Sequence, residues 1–122
     1  MDATASFAAW VAALMHPRDR AHLEAAVDGG ARIERHDAVD RGQPPGAPVE
    51  IFDGIDAIGR WLYRLGPGVT FTLAGPATAD GDRWRVEYAL EVEGFRNGGV
   101  WIARLADDGR LRHLVHLPFA LR

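Results

Sequence analysis

The period of the hydrophobic pattern changes along the chain, from a helical repeat in the first half to strict alternation in the second. Phe7, Trp10 and Leu14 recur at helical spacing, and a second stripe with the same period begins at Ile55. Over residues 84–92, apolar side chains alternate with charged or small ones, which is typical of a half-buried antiparallel strand. Helices that precede a β-meander indicate an α+β fold in which a curved sheet closes over the helices.

Glycine, proline and acidic residues predict where the remaining helices begin and end. A second helix is expected over 18–27, with Gly29-Gly30 as its C-terminal stop and a short strand over 31–35 after it. Asp53 is expected to cap a third helix, because an aspartate side chain can accept a hydrogen bond from the first turn. Residues 66–68, Gly-Pro-Gly, are expected to end that helix.

Aspartate-glycine and asparagine-glycine pairs predict the turns of the meander. Asp80-Gly81 and Asp108-Gly109 are expected to connect neighbouring strands, and Asn97-Gly98 is the strongest hairpin signal of the chain. The return strands are then expected over 100–105 and 111–117. The resulting order is helix, helix, strand, helix, and then a run of antiparallel strands.

Length and composition restrict the function as much as the fold. The chain has 122 residues, which predicts a single domain over 1–122. A net charge of −3 argues against nucleic-acid binding, and the absence of cysteine excludes a disulfide or a thiol nucleophile. The basic residues are all arginine, so a Schiff-base lysine is excluded. The longest weakly polar run, over 3–15, is too short to span a membrane, which predicts a soluble, cytoplasmic protein.

Six short stretches carry a resemblance that extends over almost the whole chain. They are, in order, residues 31–34 (ARIE), 43–45 (QPP), 53–54 (DG), 73–76 (LAGP), 84–88 (WRVEY) and 108–111 (DGRL). In this order and spacing, the chain resembles the nuclear transport factor 2-like superfamily, and within it the ketosteroid isomerase and SnoaL-like polyketide cyclase branches. The resemblance implies a cone-shaped, curved mixed sheet, as in cystatin-like folds, wrapped around three helices, with a hydrophobic pocket and assembly as a homodimer.

The resemblance also implies that the catalytic groups of the steroid isomerase are missing. Its tyrosine oxyanion donor falls at Val11, its general-base aspartate at Arg35 and its protonated aspartate at Gly98. Since that reaction needs a carboxylate base and two acidic donors, steroid isomerisation by that mechanism is not expected. Asp37 is the one carboxylate close enough in sequence to replace the base.

The same resemblance implies which side chains line the pocket. Alternation independently places Trp84, Val86 and Tyr88 on one apolar face of their strand. The pocket residues implied by the resemblance are Val11, Met15, Arg35, Trp61, Trp84, Val86, Tyr88, Leu114, His116 and Pro118.

Three of these side chains can carry chemistry. His116 is the candidate general acid/base, because the pKa of a histidine lies near neutrality; alternatively, it is a buried histidine that is hydrogen-bonded to a neighbour. Arg35 can bind a carboxylate or an enolate oxygen, or it forms an ion pair with Asp37, Glu87 or another carboxylate. Tyr88 can donate a hydrogen bond to a carbonyl oxygen, or it is a wall residue with a satisfied hydroxyl.

No metal or cofactor site is expected from the sequence. His113 and His116 are three residues apart, so on a strand they point to opposite faces. The sequence predicts a pocket for a small hydrophobic ligand and a cofactor-free isomerase or cyclase that acts on a carbonyl-containing metabolite. In that reaction His116 transfers the proton while Arg35 or Tyr88 holds the oxygen. The alternative is a non-catalytic ligand-binding or dimerisation domain, and neither nucleic acid nor a membrane is expected as a partner.

Overall fold

Three helices lie in the first half of the chain, as the helical period predicts. The computed structural model describes residues 2–65 and 68–121. The helices are α1 (Ala3–Met15), α2 (Arg20–Ala26) and α3 (Ile55–Tyr63). The residue before each of the first two helices, Asp2 or Asp19, accepts a hydrogen bond from a backbone N–H of the first turn. Among the residues described, none of the helices has the length and apolar content of a membrane span.

The strands of the described residues form one mixed sheet, which confirms the predicted α+β fold of a curved sheet over three helices. They are β1 (Val27–Arg35), β2 (Glu50–Asp53), β3 (Thr70–Leu73), β4 (Thr78–Asp80), β5 (Arg83–Val92), β6 (Phe95–Leu105) and β7 (Leu111–Pro118). The order across the sheet is β2-β1-β7-β6-β5-β3, and β4 pairs with β5. β1 and β7 run parallel, whereas the other paired strands are antiparallel.

Two of the expected helix boundaries are wrong. Gly29-Gly30 does not end α2, because β1 follows that helix directly and contains both glycines. Asp53 does not cap α3: it is the last residue of β2, and its Oδ1 accepts a hydrogen bond from Arg32 Nε at 2.7 Å. Gly54 precedes the helix instead, and no side chain caps it. Residues 66–67, which were expected to help end α3, lie outside the described residues.

The turn between β5 and β6 is Glu93-Gly94, and the hairpin expected at Asn97-Gly98 is wrong. Both residues of the actual turn have positive φ, 47° and 81°, which suits a two-residue hairpin. Asn97-Gly98 lies inside β6, where the backbones are so close that a Cβ on its glycine would lie 2.5 Å from the carbonyl oxygen of Tyr88. The turns expected at Asp80-Gly81 and Asp108-Gly109 are confirmed to within one residue.

The sheet buries apolar side chains on both faces. On the inner face, which we define as the face toward the helices, the main core includes the fully buried Phe7, Trp10 and Trp101. A smaller cluster on the outer face consists of Val100, Ile102, Val115, Leu117 and Phe119, with Val39 packed against it. Val39 belongs to the loop between β1 and β2, so this loop covers part of the outer face.

Candidate functional site

Five strands bring the candidate side chains into one row across the inner face. Arg35 of β1 pairs with Glu50 of β2 on one side and with His116 of β7 on the other. His116 also pairs with Trp101 of β6, which pairs in turn with Val86 of β5. Residues that are directly paired on neighbouring strands point to the same face. The row therefore runs from a charged end, at Glu50 and Arg35, through His116 to an apolar end.

The imidazole of His116 lies among aromatic side chains. Its Nδ1 accepts a hydrogen bond from Trp101 Nε1 at a distance of 3.0 Å. The ring of Trp61 meets it edge-on at a centroid distance of 5.7 Å, and the ring of Tyr88 stacks on it at 5.6 Å. The pKa of His116 is lowered to about 4, mainly by burial and further by the positive charge of Arg35.

At physiological pH His116 is a neutral hydrogen-bond donor, and the expectation of a pKa near neutrality is wrong. An indole N–H can only donate, so the Nδ1 that accepts from Trp101 carries no proton. The single proton of the neutral ring is then on Nε2. Nδ1 is therefore a hydrogen-bond acceptor and Nε2 a donor. A further proton on His116 would go to Nδ1, and the indole N–H of Trp101 would then lose its acceptor.

Arg35 forms an ion pair with Glu50, so of the expected partners, Asp37, Glu87 or another carboxylate, the structure shows another carboxylate. Arg35 Nε donates a hydrogen bond to Glu50 Oε1 at 2.8 Å. The other carboxylate oxygen, Oε2, lies 3.7 Å from a guanidinium nitrogen of Arg64, which is longer than a hydrogen bond. About two-fifths of the Glu50 side chain, 39%, remains accessible to solvent. The charged end of the row is therefore ion-paired but open.

Glu50 is the site residue that sequence analysis missed. It lies in the four-residue strand β2, two residues before Phe52, which is buried against the core. Alternation would have placed the two side chains on the same face. The signal is obscured because Asp53-Gly54 also matches a helix start, which hides the short strand that ends at Asp53.

Tyr88 is buried between aromatic rings and next to a glycine of β6. Its ring stacks on Trp101 at a centroid distance of 4.2 Å and lies 6.0 Å from the ring of Phe71. The hydroxyl lies over Gly99, since a Cβ at that position would come within 2.5 Å of the hydroxyl oxygen. Burial raises the pKa of Tyr88 above its ordinary value, so the phenol stays protonated and can only act as a neutral donor or acceptor.

The other expected pocket residues differ in how far they are buried. Trp61, Val86 and Leu114 are buried, and Val11, Trp84 and Pro118 are partly buried. Met15 is 38% exposed, and its sulfur accepts a hydrogen bond from the backbone N–H of Phe71 at 3.4 Å. The structure thus brings most of these side chains to the inner face, with Met15 at the margin.

Aromatic side chains lie against His116, which is partly buried, and the larger grooves lie elsewhere. A groove of about 770 Å³ follows the end of α1 and the start of β3, and it is lined in part by Met15, Leu65 and Phe71. A second groove, of about 500 Å³, is lined in part by Tyr88. Neither of these grooves is lined by His116. A ligand bound in either groove would therefore not contact the imidazole directly.

The positions to which the resemblance assigns the catalytic groups of the steroid isomerase hold neither an acid nor a carboxylate base. Val11 packs against the main core, Arg35 is ion-paired, and Gly98 lies inside β6. Asp37 follows the end of β1 with an exposed side chain. Among residues 2–65 and 68–121, no group of three or more histidine or acidic side chains could hold a metal ion.

Comparisons with known proteins show the fold. No protein-family model and no curated protein matches the sequence. A solved structure of a proposed isomerase of the SnoaL-like family from Agrobacterium tumefaciens is 20% identical, with a TM-score of 0.72 over 95% of this chain and 96% of that one. A protein of unknown function from Exiguobacterium, described as nuclear transport factor 2-like, is 19% identical, with a TM-score of 0.63 over 95% of this chain and 99% of that one.

The chain has the nuclear transport factor 2-like fold. A proposed ketosteroid isomerase from Kribbella flavida is also similar, at 17% identity and a TM-score of 0.73 over 98% of this chain and 79% of that one. The predicted fold is confirmed by these structures, one of which is described as SnoaL-like.

Proposed function

We propose that the chain binds a small hydrophobic molecule with a carbonyl group next to His116 and acts on it as a cofactor-free isomerase or cyclase. The observation that carries this proposal is the hydrogen bond from Trp101 Nε1 to His116 Nδ1. It holds the imidazole in the tautomer whose proton is on Nε2. A carbonyl or enolate oxygen is the natural acceptor for such a donor.

The surroundings of His116 suit this role because they combine aromatic rings with one positive charge. A donor that is already aimed, in a site with little water, stabilises developing negative charge more strongly than the same donor in water. Arg35 adds a positive charge beside the imidazole, as its effect on the pKa of His116 indicates. The rings of Trp61 and Tyr88 provide flat apolar surfaces against the imidazole. These features favour a flat, hydrophobic ligand.

The reaction class follows from the kind of charge that such a donor can stabilise. Double-bond isomerisation and aldol-type cyclisation both begin with removal of a proton from the carbon next to a carbonyl. The electron pair moves to the oxygen, which becomes negative and accepts the hydrogen bond of Nε2. The fold likeness to two proposed isomerases supports this class over others.

The proposal is tested by hydrogen exchange at the carbon next to a carbonyl. The probe is a β,γ-unsaturated cyclohexenone, incubated in deuterium oxide and followed by NMR, with formation of the conjugated ketone followed by ultraviolet absorption. We expect exchange in proportion to protein concentration. His116→Phe should lower the rate by about 10²- to 10³-fold, the usual cost of one lost oxyanion donor.

The matched control is His113→Phe, because His113 lies on the same strand but pairs with Glu34 on the outer face. We expect this variant to keep the wild-type rate. Near-ultraviolet circular dichroism checks that both variants retain packed aromatic side chains. Equal rates in wild type and His116→Phe would contradict the role of His116, and exchange at the buffer rate in the wild type would contradict an enzyme of this class.

A non-catalytic ligand-binding domain is the second candidate. It is favoured because neither of the two larger grooves is lined by His116, the candidate catalytic residue. On this alternative the probe ketone would shift the NMR signals of the His116 ring, but no exchange above the buffer rate would follow.

We also propose that the chain forms a homodimer, which its resemblance to the superfamily supports. The apolar excess of residues 100–105 is not by itself support, because Val100 and Ile102 are covered on the outer face by the cluster that includes Phe119 and Val39. Sedimentation equilibrium at micromolar concentration tests the proposal, and a stable monomer would contradict it.

A further inference from the structure

The groove between the end of α1 and the start of β3 has an apolar floor and a charged rim. Its volume is about 770 Å³, within the range of about 300–1,000 Å³ that is usual for small-molecule sites. The floor consists of the apolar side chains Leu14, Met15, Leu65, Val69 and Phe71. The rim is the linker between α1 and α2, which contributes His16, Arg18 and Asp19. Such a groove suits an amphipathic molecule.

We propose that this groove binds a medium-chain carboxylate, with its alkyl chain on the apolar floor and its carboxylate at Arg18. The site is separate from the one in the proposed function, because His116 does not line this groove. A carboxylate fits the rim better than a phosphate does, since a single guanidinium matches one negative charge and Asp19 follows Arg18 directly.

The floor offers apolar surface that the fold leaves accessible. Leu14 and Phe71 form its packed base, whereas Met15 is 38% exposed. The sulfur of Met15 accepts a hydrogen bond from the backbone N–H of Phe71 at 3.4 Å, which connects the end of α1 to β3. Because a methionine side chain is unbranched and flexible, it can adapt to an alkyl chain that covers it. Covering this surface removes apolar area from water, which favours binding.

Arg18 carries a positive charge that no carboxylate among the described residues balances. Its guanidinium carbon lies 4.6 Å from the centroid of the Tyr63 ring. Arg20, in contrast, is paired with Asp56 at 2.8 Å and with Glu24 at 3.2 Å. The ring of Tyr63 covers one face of the Arg18 guanidinium, so the N–H groups along its edge can still form two parallel hydrogen bonds to a carboxylate.

The other two polar side chains of the rim are already engaged. Asp19 Oδ1 accepts a hydrogen bond from the backbone N–H of Ala21 at 3.0 Å, and its Oδ2 lies 2.7 Å from His22 Nδ1. His16 Nδ1 donates to a carbonyl oxygen of α1 at 2.9 Å, which leaves a lone pair on Nε2 of the neutral ring. Of the three rim side chains, Arg18 is therefore the one that can donate to an anionic headgroup.

The test compares octanoate with 1-octanol, which has the same number of carbons but no charge. By titration calorimetry, we expect wild type to bind octanoate about tenfold more tightly, since a hydrogen bond to a charged group contributes about that factor. The methyl signal of Met15, one of two methionines in the chain, reports where the ligand binds. Octanoate should shift this NMR signal and leave the signals of the His116 ring unchanged.

Two variants separate the charge of the rim from the apolar floor. Arg18→Gln should weaken the binding of octanoate about tenfold and leave the binding of 1-octanol unchanged. Met15→Gln keeps the length of the side chain and an acceptor for the N–H of Phe71, and it should weaken both ligands to the same extent. Arg20→Gln is the matched control, because it removes the same charge from an arginine that is already paired. It should keep the wild-type affinity for octanoate.

Four outcomes would overturn the inference. Equal affinities of wild type for octanoate and 1-octanol would exclude recognition of the carboxylate. Equal losses in Arg18→Gln and Arg20→Gln would mean that octanoate responds only to net charge. A Met15 signal that does not move at saturation would place the ligand outside the groove, and a wild type that binds neither ligand would exclude the site altogether. None of these outcomes bears on the exchange reaction expected at His116.

Discussion

The two histidines of β7 show how differently the two faces of the sheet treat the same side chain. On the outer face, His113 Nε2 lies 3.0 Å from a carboxylate oxygen of Glu34. On the inner face, His116 accepts a hydrogen bond from Trp101 and lies against aromatic rings. One histidine is placed to form an ion pair, and the other is held neutral. Alternation along β7 determines which face each histidine lies on. Residues on the neighbouring strands determine whether the histidine meets a carboxylate or an indole N–H.

The hydrophobic cores on the two faces of the sheet also differ in composition. The inner core contains stacked and edge-on aromatic pairs, such as Tyr88 on Trp101 at 4.2 Å and Trp10 against Trp101 at 6.4 Å. The outer cluster is mostly aliphatic, and a loop residue, Val39, packs against it. Large rings bury more apolar area than aliphatic side chains. We therefore expect the inner face to contribute most of the stability.

The largest effect is expected from Trp101→Ala, which removes the side chain at the centre of the inner core. Trp101 is fully buried, and it also donates the hydrogen bond to His116. We expect the free energy of unfolding in urea to fall by about 3–5 kcal/mol, as for other buried aromatic truncations. A loss below about 1 kcal/mol would show that the inner core is looser than its packing indicates.

The next effect is a dependence of stability on pH that comes from His116. Its pKa is about 4 in the folded chain, below the ordinary value of 6.5, so the unfolded chain binds the proton more readily between those pH values. Stability should therefore fall as the pH is lowered from about 6.5 toward about 4. The expected loss is about 2–3 kcal/mol, since 1.4 kcal/mol per pKa unit is reduced by partial access to solvent.

This pH dependence is measured as the unfolding free energy of wild type, His116→Phe and His113→Phe between pH 7 and pH 4.5. His116→Phe should lose the part of the slope that belongs to the inner histidine, whereas His113→Phe should keep it. Parallel curves for wild type and His116→Phe would mean that His116 is not held neutral in the folded chain.

The local hydrophobic pattern was sufficient to predict much of the fold. Alternation over residues 84–92 correctly predicted β5, and helical spacing correctly predicted α1 and α3, because both patterns depend on residues that are close in sequence. Asn97-Gly98 does not form the hairpin turn, because Glu93-Gly94, four residues earlier in the chain, forms it instead. The glycine of that pair is needed instead where β5 approaches the backbone of β6.

The candidate site was predictable only in part, because its contacts join residues that are far apart in sequence. His116, Arg35 and Tyr88 could be assigned to the inner face from alternation and from the family resemblance. Their partners could not, because the contacts join residues on different strands. Glu50 lies 15 residues from Arg35 in sequence, across a loop, and Trp101 lies 15 residues from His116. Only the strand register brings each pair together.

The smallest effect is expected from Glu34→Gln, which weakens the ion pair on the outer face. The side chains of Glu34 and His113 are 22% and 27% exposed, so solvent reaches both partners and screens their attraction. We expect the unfolding free energy to fall by less than about 1 kcal/mol, as for most ion pairs near the surface. A double-mutant cycle with His113→Phe isolates the pair from other effects of either substitution. A coupling above about 2 kcal/mol would show that the outer face depends on its histidine as strongly as the inner face does.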